Sequence, residues 1–256
     1  MGRLHDEDLL RFARDGYLVV PGVVDEALLE SADREIDGLI GECAPVEGDG
    51  GPGPNLWFPP CARLPRCDDA LRRSGALGLA EELAAPYVLD HAFDHIQVAT
   101  TVPPFSHIPG GPHIDGHAPD QDVPGSFTLL AGIFLTDQRQ AQSGNLWVWP
   151  GSHLRHQELF AERGTRALQP SAGHPTLLDP PLELGPGSEL KAARGDLLLA
   201  HYLTGHNKGG NTSRRVRRTI YYRLATPGHR DRWEATFEDP WTEYAPVRRA
   251  VDAAAR

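Results

Sequence analysis

Residues 127–135 read FTLLAGIFL, an apolar run of strand length between turn-forming residues. Similar short runs lie at 96–101, 146–149, 196–201 and 219–224. The 27 glycines and 23 prolines indicate many short elements joined by tight turns. An antiparallel fold of two sheets, a jelly roll, fits this pattern best.

Helical patterns precede the strand region. Apolar residues recur at intervals of three and four within residues 6–14, 24–41 and 69–84, which predicts helices packed outside the sheets. Residues 44–65 are rich in Gly, Pro and aromatic residues, and we predict a long loop there that acts as a lid or binding loop. Residues 233–256 are expected to form a helix or strap over the surface.

We expect a single domain over residues 1–256. In this interpretation, residues 1–85 form the N-terminal helices and the loop. Residues 86–225 form the mainly β jelly-roll core, and residues 226–256 form the C-terminal strap.

The charge balance argues against two classes of partner. A net charge of −10 and a pI near 5.6 provide no broad positive field, so neither nucleic acid nor an anionic membrane is expected. No stretch of eighteen apolar residues occurs, and the first residues lack a signal-peptide core. Cys43, Cys61 and Cys67 lack metal-site spacing and predict neither zinc nor disulfides. We expect a cytoplasmic protein that acts on a small molecule, with no prediction of oligomeric state.

A candidate metal site begins at His113 and Asp115. On an extended backbone, side chains two residues apart point to the same side. The pair lies in a Pro- and Gly-rich loop between two predicted strands, where a jelly roll opens. The spacing alone is weak, since about one such triplet is expected by chance in this composition. A second triplet, His229-Arg-Asp231, lies in a polar turn and is interpreted as solvated surface.

His206 is expected to supply the third ligand, because it follows the apolar run at 196–201 as the chain leaves the sheet. Two histidines and one carboxylate on one face of an ion leave positions open for a bidentate ligand and dioxygen. This arrangement suits iron(II). A binding protein that holds zinc, nickel or no metal remains an alternative.

Arg217 stands eleven residues after His206, at the start of the last predicted strand. Its planar guanidinium can bind the distal carboxylate of a 2-oxoacid through two hydrogen bonds. Arg215 and Arg218 are rivals, but Arg215 is in the loop and Arg218 is expected to point to the opposite strand face. We therefore predict Arg217 as the residue that binds the cosubstrate.

Several motifs together resemble the phytanoyl-CoA dioxygenase family of iron(II)- and 2-oxoglutarate-dependent oxygenases. The opening at 12–22, FARDGYLVVPG, and the strand and turn at 143–153, SGNLWVWPGSH, are similar to the family's sequences. The remaining matches, in chain order, are His113, Asp115, Gly195, Asp196, His206, Asn211 and Arg217.

The resemblance implies a double-stranded β-helix core with iron(II) held by His113, Asp115 and His206. It implies that Arg217 binds 2-oxoglutarate, and it puts Gln97 near a position that contacts cosubstrate or substrate. Halogenating relatives carry Ala or Gly in place of the aspartate, so Asp115 implies oxygenation.

One departure from the family pattern follows the last metal ligand. The run Asn207-Lys-Gly-Gly replaces the usual small residues, so Lys208 is expected to alter one cosubstrate contact.

The implied function is hydroxylation, or another oxidation of an unactivated C–H bond, in a small metabolite or natural-product intermediate. The reaction uses O2 and 2-oxoglutarate and releases succinate and carbon dioxide. Desaturation, epoxidation and cyclisation remain open. Two other classes also remain: a non-catalytic or differently metallated jelly-roll binding protein, and a cupin-like isomerase or hydrolase that uses the triad without 2-oxoglutarate. Arg217 argues against the second.

Overall fold

A computed structural model describes residues 3–115, 125–167 and 182–256. The α-helices in these ranges are α1 (Asp6–Asp15), α2 (Glu26–Glu42), α3 (Pro65–Arg73), α4 (Ala76–Ala84), α5 (Ser152–Arg163), α6 (His229–Glu238) and α7 (Ala245–Ala254). The strands are β1 (Tyr17–Val20), β2 (Gly53–Trp57), β3 (Asp90–His91), β4 (Gln97–Val102), β5 (Leu129–Phe134), β6 (Leu146–Val148), β7 (Ser188–Glu189), β8 (Leu197–His201), β9 (His206–Lys208) and β10 (Arg217–Ala225).

Two antiparallel sheets form the core. Within the described ranges, the larger sheet has the order β1-β8-β5-β10-β4-β2, with β3 paired to β10, and the smaller sheet has the order β7-β6-β9. This antiparallel, sheet-rich core with flanking helices confirms the predicted jelly-roll fold class. No helix in the described ranges is both long and apolar enough to cross a membrane.

Strand β5 shows why residues 127–135 are continuously apolar. Leu129 and Ile133 pack in a cluster with the N-terminal helices, whereas Leu130 and Phe134 pack in a second cluster with Leu146 of the smaller sheet. Successive side chains of a strand point to opposite faces, so a strand covered on both faces must be apolar at every position. The predicted arrangement of helices outside a two-sheet core follows from this double burial.

Helix α2 illustrates how the helices are fixed. The Asp25 carboxylate accepts a hydrogen bond from the Leu28 backbone N–H at 2.9 Å and caps the first turn. Leu29, Ile36 and Leu39 recur at helical spacing and are buried against the larger sheet. The predicted helical segments at 6–14, 24–41 and 69–84 correspond to α1, α2 and the pair α3 and α4.

The prediction of a continuous loop over residues 44–65 was wrong in its centre. Residues 53–57 form β2, which pairs with β4 from Gly53 opposite Val102 to Trp57 opposite Val98. Strand β2 is at the edge of the larger sheet. An edge strand has one side without a strand partner, so it accommodates Pro54, which lacks a backbone N–H.

The interpretation of His229 as solvated surface was also wrong. His229 starts α6 and is only 4% exposed. Its Nε2 lies 3.0 Å from Ser126 Oγ, and its Nδ1 lies 2.8 Å from a Glu243 carboxylate oxygen. His229 therefore anchors the C-terminal helices to the core, whereas Arg230 and Asp231 are exposed as expected.

Candidate metal and cosubstrate site

A backbone bridge brings together two histidines that are distant in sequence. The His113 N–H donates to the His206 carbonyl at 3.0 Å, and the His206 N–H donates to the His113 carbonyl at 3.0 Å. Residues that exchange both hydrogen bonds lie directly opposite each other on antiparallel strands. Their ring centroids are 4.6 Å apart, so the loop after β4 and the start of β9 present one imidazole each to the same space.

Asp115 completes a cluster with metal-binding geometry. One oxygen, Oδ1, lies 3.6 Å from His113 Nε2 and 3.5 Å from His206 Nε2. The three potential ligand atoms all lie within 4.8 Å of one another. Two imidazole nitrogens and one carboxylate oxygen facing a common point form the donor set that suits iron(II) with open positions.

The His206 ring is oriented by its own backbone segment. Nδ1 lies 3.0 Å from the Thr204 carbonyl oxygen, which can only accept a hydrogen bond. The proton is therefore assigned to Nδ1, and Nε2 is left to face Asp115 as a metal donor.

The charges of the cluster stabilise one another. Burial alone would raise the pKa of Asp115, but the Arg223 guanidinium and the histidines hold that pKa well below its usual range. Burial would lower the pKa of His206, but the Asp115 carboxylate outweighs it and raises that pKa. The carboxylate is thus ready to bind a cation at neutral pH.

Arg217 lies in the same cavity as the triad and is only 6% exposed. It donates to the Tyr221 hydroxyl at 2.5 Å, and it makes longer contacts of 3.5 Å with the Gln138 side chain and the Ala99 carbonyl. Among the described residues, no Asp or Glu forms an ion pair with it.

The charge pairing around this cavity singles out Arg217. The cavity has a volume of about 370 Å³. The Lys208 ammonium pairs with Glu47, and Arg223 pairs with Asp115. Arg217 is therefore the cation of the described lining that has no acidic partner. A buried cation without a counterion is costly, so the site favours an anionic ligand.

The structure separates the rival arginines as expected. Arg218 points to the other strand face, where its guanidinium pairs with Asp33 and Asp37 of α2. Arg215 is exposed in the loop before β10. Gln97, at the start of β4, lines the cavity next to Tyr221, which is its partner in β10. Its predicted contact with cosubstrate or substrate stays a prediction.

Arg223 was missed by the sequence interpretation. Its side chain lines the cavity and holds Asp115 Oδ2. A signal was present, because residues 217, 221 and 223 are separated by even numbers of residues and share one strand face. His117, two residues after Asp115 in the sequence, lies outside the described residues.

Comparisons with known proteins identify the family. The pattern of the phytanoyl-CoA dioxygenase family (PhyH) matches residues 12–219. The chain belongs to this family. As a member of the phytanoyl-CoA dioxygenase family, it is a non-haem iron enzyme that depends on 2-oxoglutarate. Among curated proteins, none matches the sequence significantly.

Solved structures show the same fold. SnoK, a non-heme alpha ketoglutarate dependent carbocyclase from nogalamycin biosynthesis, has a TM-score of 0.63 and 19% identity, covering 88% of this chain and 87% of its own. The epimerase SnoN, from the same biosynthesis, has a TM-score of 0.61 and 21% identity over 86% and 82% of the two chains. HygX from Streptomyces hygroscopicus, with nickel and 2-oxoglutarate bound, has a TM-score of 0.58 and 18% identity over 88% of each chain.

Proposed function

We propose that this phytanoyl-CoA dioxygenase family member binds iron(II) through His113, Asp115 and His206 and binds 2-oxoglutarate through Arg217. The observation that carries the proposal is the buried Arg217 in the cavity that contains the triad, where no described Asp or Glu forms an ion pair with it. A dicarboxylate that chelates a metal at one end and meets Arg217 at the other would neutralise both positive centres.

Each group of the chain has a separate task in this proposal. The triad would hold the metal through three atoms, and the cavity beside it would leave room for other ligands. Arg217 orients the cosubstrate by its distal carboxylate, and Tyr221 holds the guanidinium in place. When bound, iron(II) with 2-oxoglutarate and O2 supplies the oxidising power, whereas the protein supplies orientation and excludes water.

We further propose that the substrate is a small metabolite or natural-product intermediate, oxidised at an unactivated C–H bond. SnoN was solved with nogalamycin RO and HygX with hygromycin B, so this fold accommodates such molecules in those proteins. The cavity wall here combines apolar residues such as Leu56, Phe58 and Leu130 with a few polar groups. Hydroxylation is the proposed outcome. Desaturation, epoxidation or cyclisation would need the same site and a different substrate position.

Anaerobic visible absorption tests the cosubstrate site directly. Iron(II) followed by 2-oxoglutarate is expected to produce a weak metal-to-ligand charge-transfer band in the wild type and none in H113A. The matched control is H107A, because His107 is an exposed histidine in the same loop. A wild type that binds neither iron nor 2-oxoglutarate would contradict the proposal and favour a binding protein.

Turnover provides a second test. Slow formation of succinate from 2-oxoglutarate under air, lost in H113A and kept in H107A, is expected even without the substrate. A protein that holds iron but forms no succinate would favour the cupin-like alternative.

A further inference from the structure

The two oxygens of Asp115 have different partners. Oδ1 faces both imidazole Nε2 atoms at 3.5–3.6 Å, which places it toward the proposed metal position. Oδ2 accepts hydrogen bonds from Arg223 Nη2 at 2.7 Å and Arg223 Nε at 3.2 Å. The Arg223 guanidinium is therefore hydrogen-bonded to Oδ2, the Asp115 oxygen that does not face the imidazoles.

Arg223 is held firmly in this position. Its residue pairs with Leu130 of β5, and its carbonyl accepts a hydrogen bond from the Ala92 N–H at 2.8 Å. The guanidinium carbon lies 5.5 Å from the Phe58 ring centroid and 5.8 Å from that of Phe127. Cation–π contacts on a side chain that is 13% exposed restrict its movement.

We infer that Arg223 is a positioning residue that makes Asp115 a one-oxygen metal ligand. This inference rests on the proposed metal site. Arg223 belongs neither to the metal-binding motif nor to the residues that match the family pattern. A carboxylate with both oxygens available can bind a metal through both of them. Because Arg223 holds Oδ2 with two N–H groups, only Oδ1 is left for the ion.

The count of coordination positions explains why this matters. Three protein atoms and two cosubstrate atoms leave one position of an octahedral ion open. A second oxygen from Asp115 would fill that position and exclude O2. Arg223 would thus keep that position open through its hydrogen bonds to Asp115.

Cobalt(II) binding tests the inference without turnover. The wild type is compared with R223M, R223K and the control R218M by anaerobic titration, with the visible d–d absorption of cobalt as the readout. Arg218 neighbours the site on the same strand but points to Asp33 and Asp37 on α2. R218M therefore removes the same positive charge as R223M, but it does not remove a contact with Asp115.

R223M is expected to bind cobalt about 10- to 100-fold more weakly, the range seen when a group that orients a metal ligand is removed. Its absorption band is expected to change in position and intensity, because a second Asp115 oxygen would replace a water ligand of the cobalt. R223K replaces the planar guanidinium with a single ammonium group, so a smaller loss of cobalt affinity, about 3- to 10-fold, is expected. R218M is expected to match the wild type.

Cobalt affinity and absorption equal to wild type in folded R223M would overturn the inference. If circular dichroism shows that R223M does not fold, R223K decides, and wild-type affinity in R223K overturns it. Failure of the proposed metal site is a separate result, because the wild type itself would then show no cobalt band.

Discussion

At the scale of single residues, Arg217 supports a prediction about cosubstrate affinity. Removing one partner of a buried, hydrogen-bonded charge pair costs about 2–5 kcal/mol. We therefore expect R217A to weaken 2-oxoglutarate binding at least about 30-fold, measured anaerobically by titration of the charge-transfer band. R215A, which removes an exposed loop arginine, is expected to leave the affinity unchanged. Unchanged affinity in R217A would refute the assignment.

Gly144 gives a second prediction at this scale. A Cβ at Gly144 would lie 2.5 Å from the Arg217 Cβ, and the backbone φ of +82° disfavours any L side chain. We expect G144A to destabilise the protein by about 1–3 kcal/mol in urea unfolding and to weaken 2-oxoglutarate binding. Gly22 has φ +63° and open space around it, so G22A measures the backbone effect alone. Equal losses in the two variants would show that the contact with Arg217 is unimportant.

The proposed ligands were predictable because each one is marked locally. His113 and Asp115 form a short motif, His206 follows a recognisable strand, and Arg217 begins one. No comparable local motif in the sequence identifies Arg223. Its partner Asp115 is 108 residues away, so the role of Arg223 depends on the pairing of β10 in the folded sheet.

At the scale of elements, Asp196 ties the first strand to the core. Its Oδ1 accepts from the Gly22 N–H at 2.9 Å after β1, and its Oδ2 accepts from the Ala193 N–H at 2.7 Å before β8. D196A leaves two N–H groups without this acceptor, so a loss of about 2 kcal/mol in the free energy of unfolding is expected. D252A, at an exposed site on α7, is the control. Loss of cobalt binding in folded D196A would contradict this purely structural role.

Elements were predictable where packing dictates the residue pattern. Strand β5 and residues 197–200 of β8 are buried on both faces and have continuous apolar sequences. Strand β2 contains Gly53 and Pro54 and has no such pattern. It forms because β4 supplies an edge, which is a property of the assembled sheet. His229 likewise appears polar in sequence and is buried by partners from distant segments.

At the scale of the whole molecule, His201 predicts how stability depends on pH. Burial lowers its pKa to about 4. Nε2 lies 2.9 Å from the Pro240 carbonyl, and Nδ1 accepts from the Leu203 N–H at 3.0 Å, so the folded protein requires the neutral ring. The unfolded chain binds this proton near pH 6.5, so stability contributed by His201 is present above pH 6.5 and is lost as the pH falls toward 4.

The expected loss is up to about 3 kcal/mol for this residue between pH 6.5 and 4. Urea unfolding at several pH values should show a shallower decline in H201N than in the wild type. H107Q changes an exposed histidine and should keep the wild-type slope. An unaltered slope in H201N would show that another group, such as His156, dominates acid sensitivity.

The expected single domain over residues 1–256 stays a prediction.

Strand β10 has a consequence for how this chain can change in length. Arg217 and Arg223 are six residues apart, which corresponds to about 20 Å along a strand. An insertion or deletion of one residue between them would turn one arginine toward α2, where Arg218 now lies. A homologue that keeps both arginines in the cavity must therefore keep an even spacing, and differences in length are tolerated in the loops outside this strand.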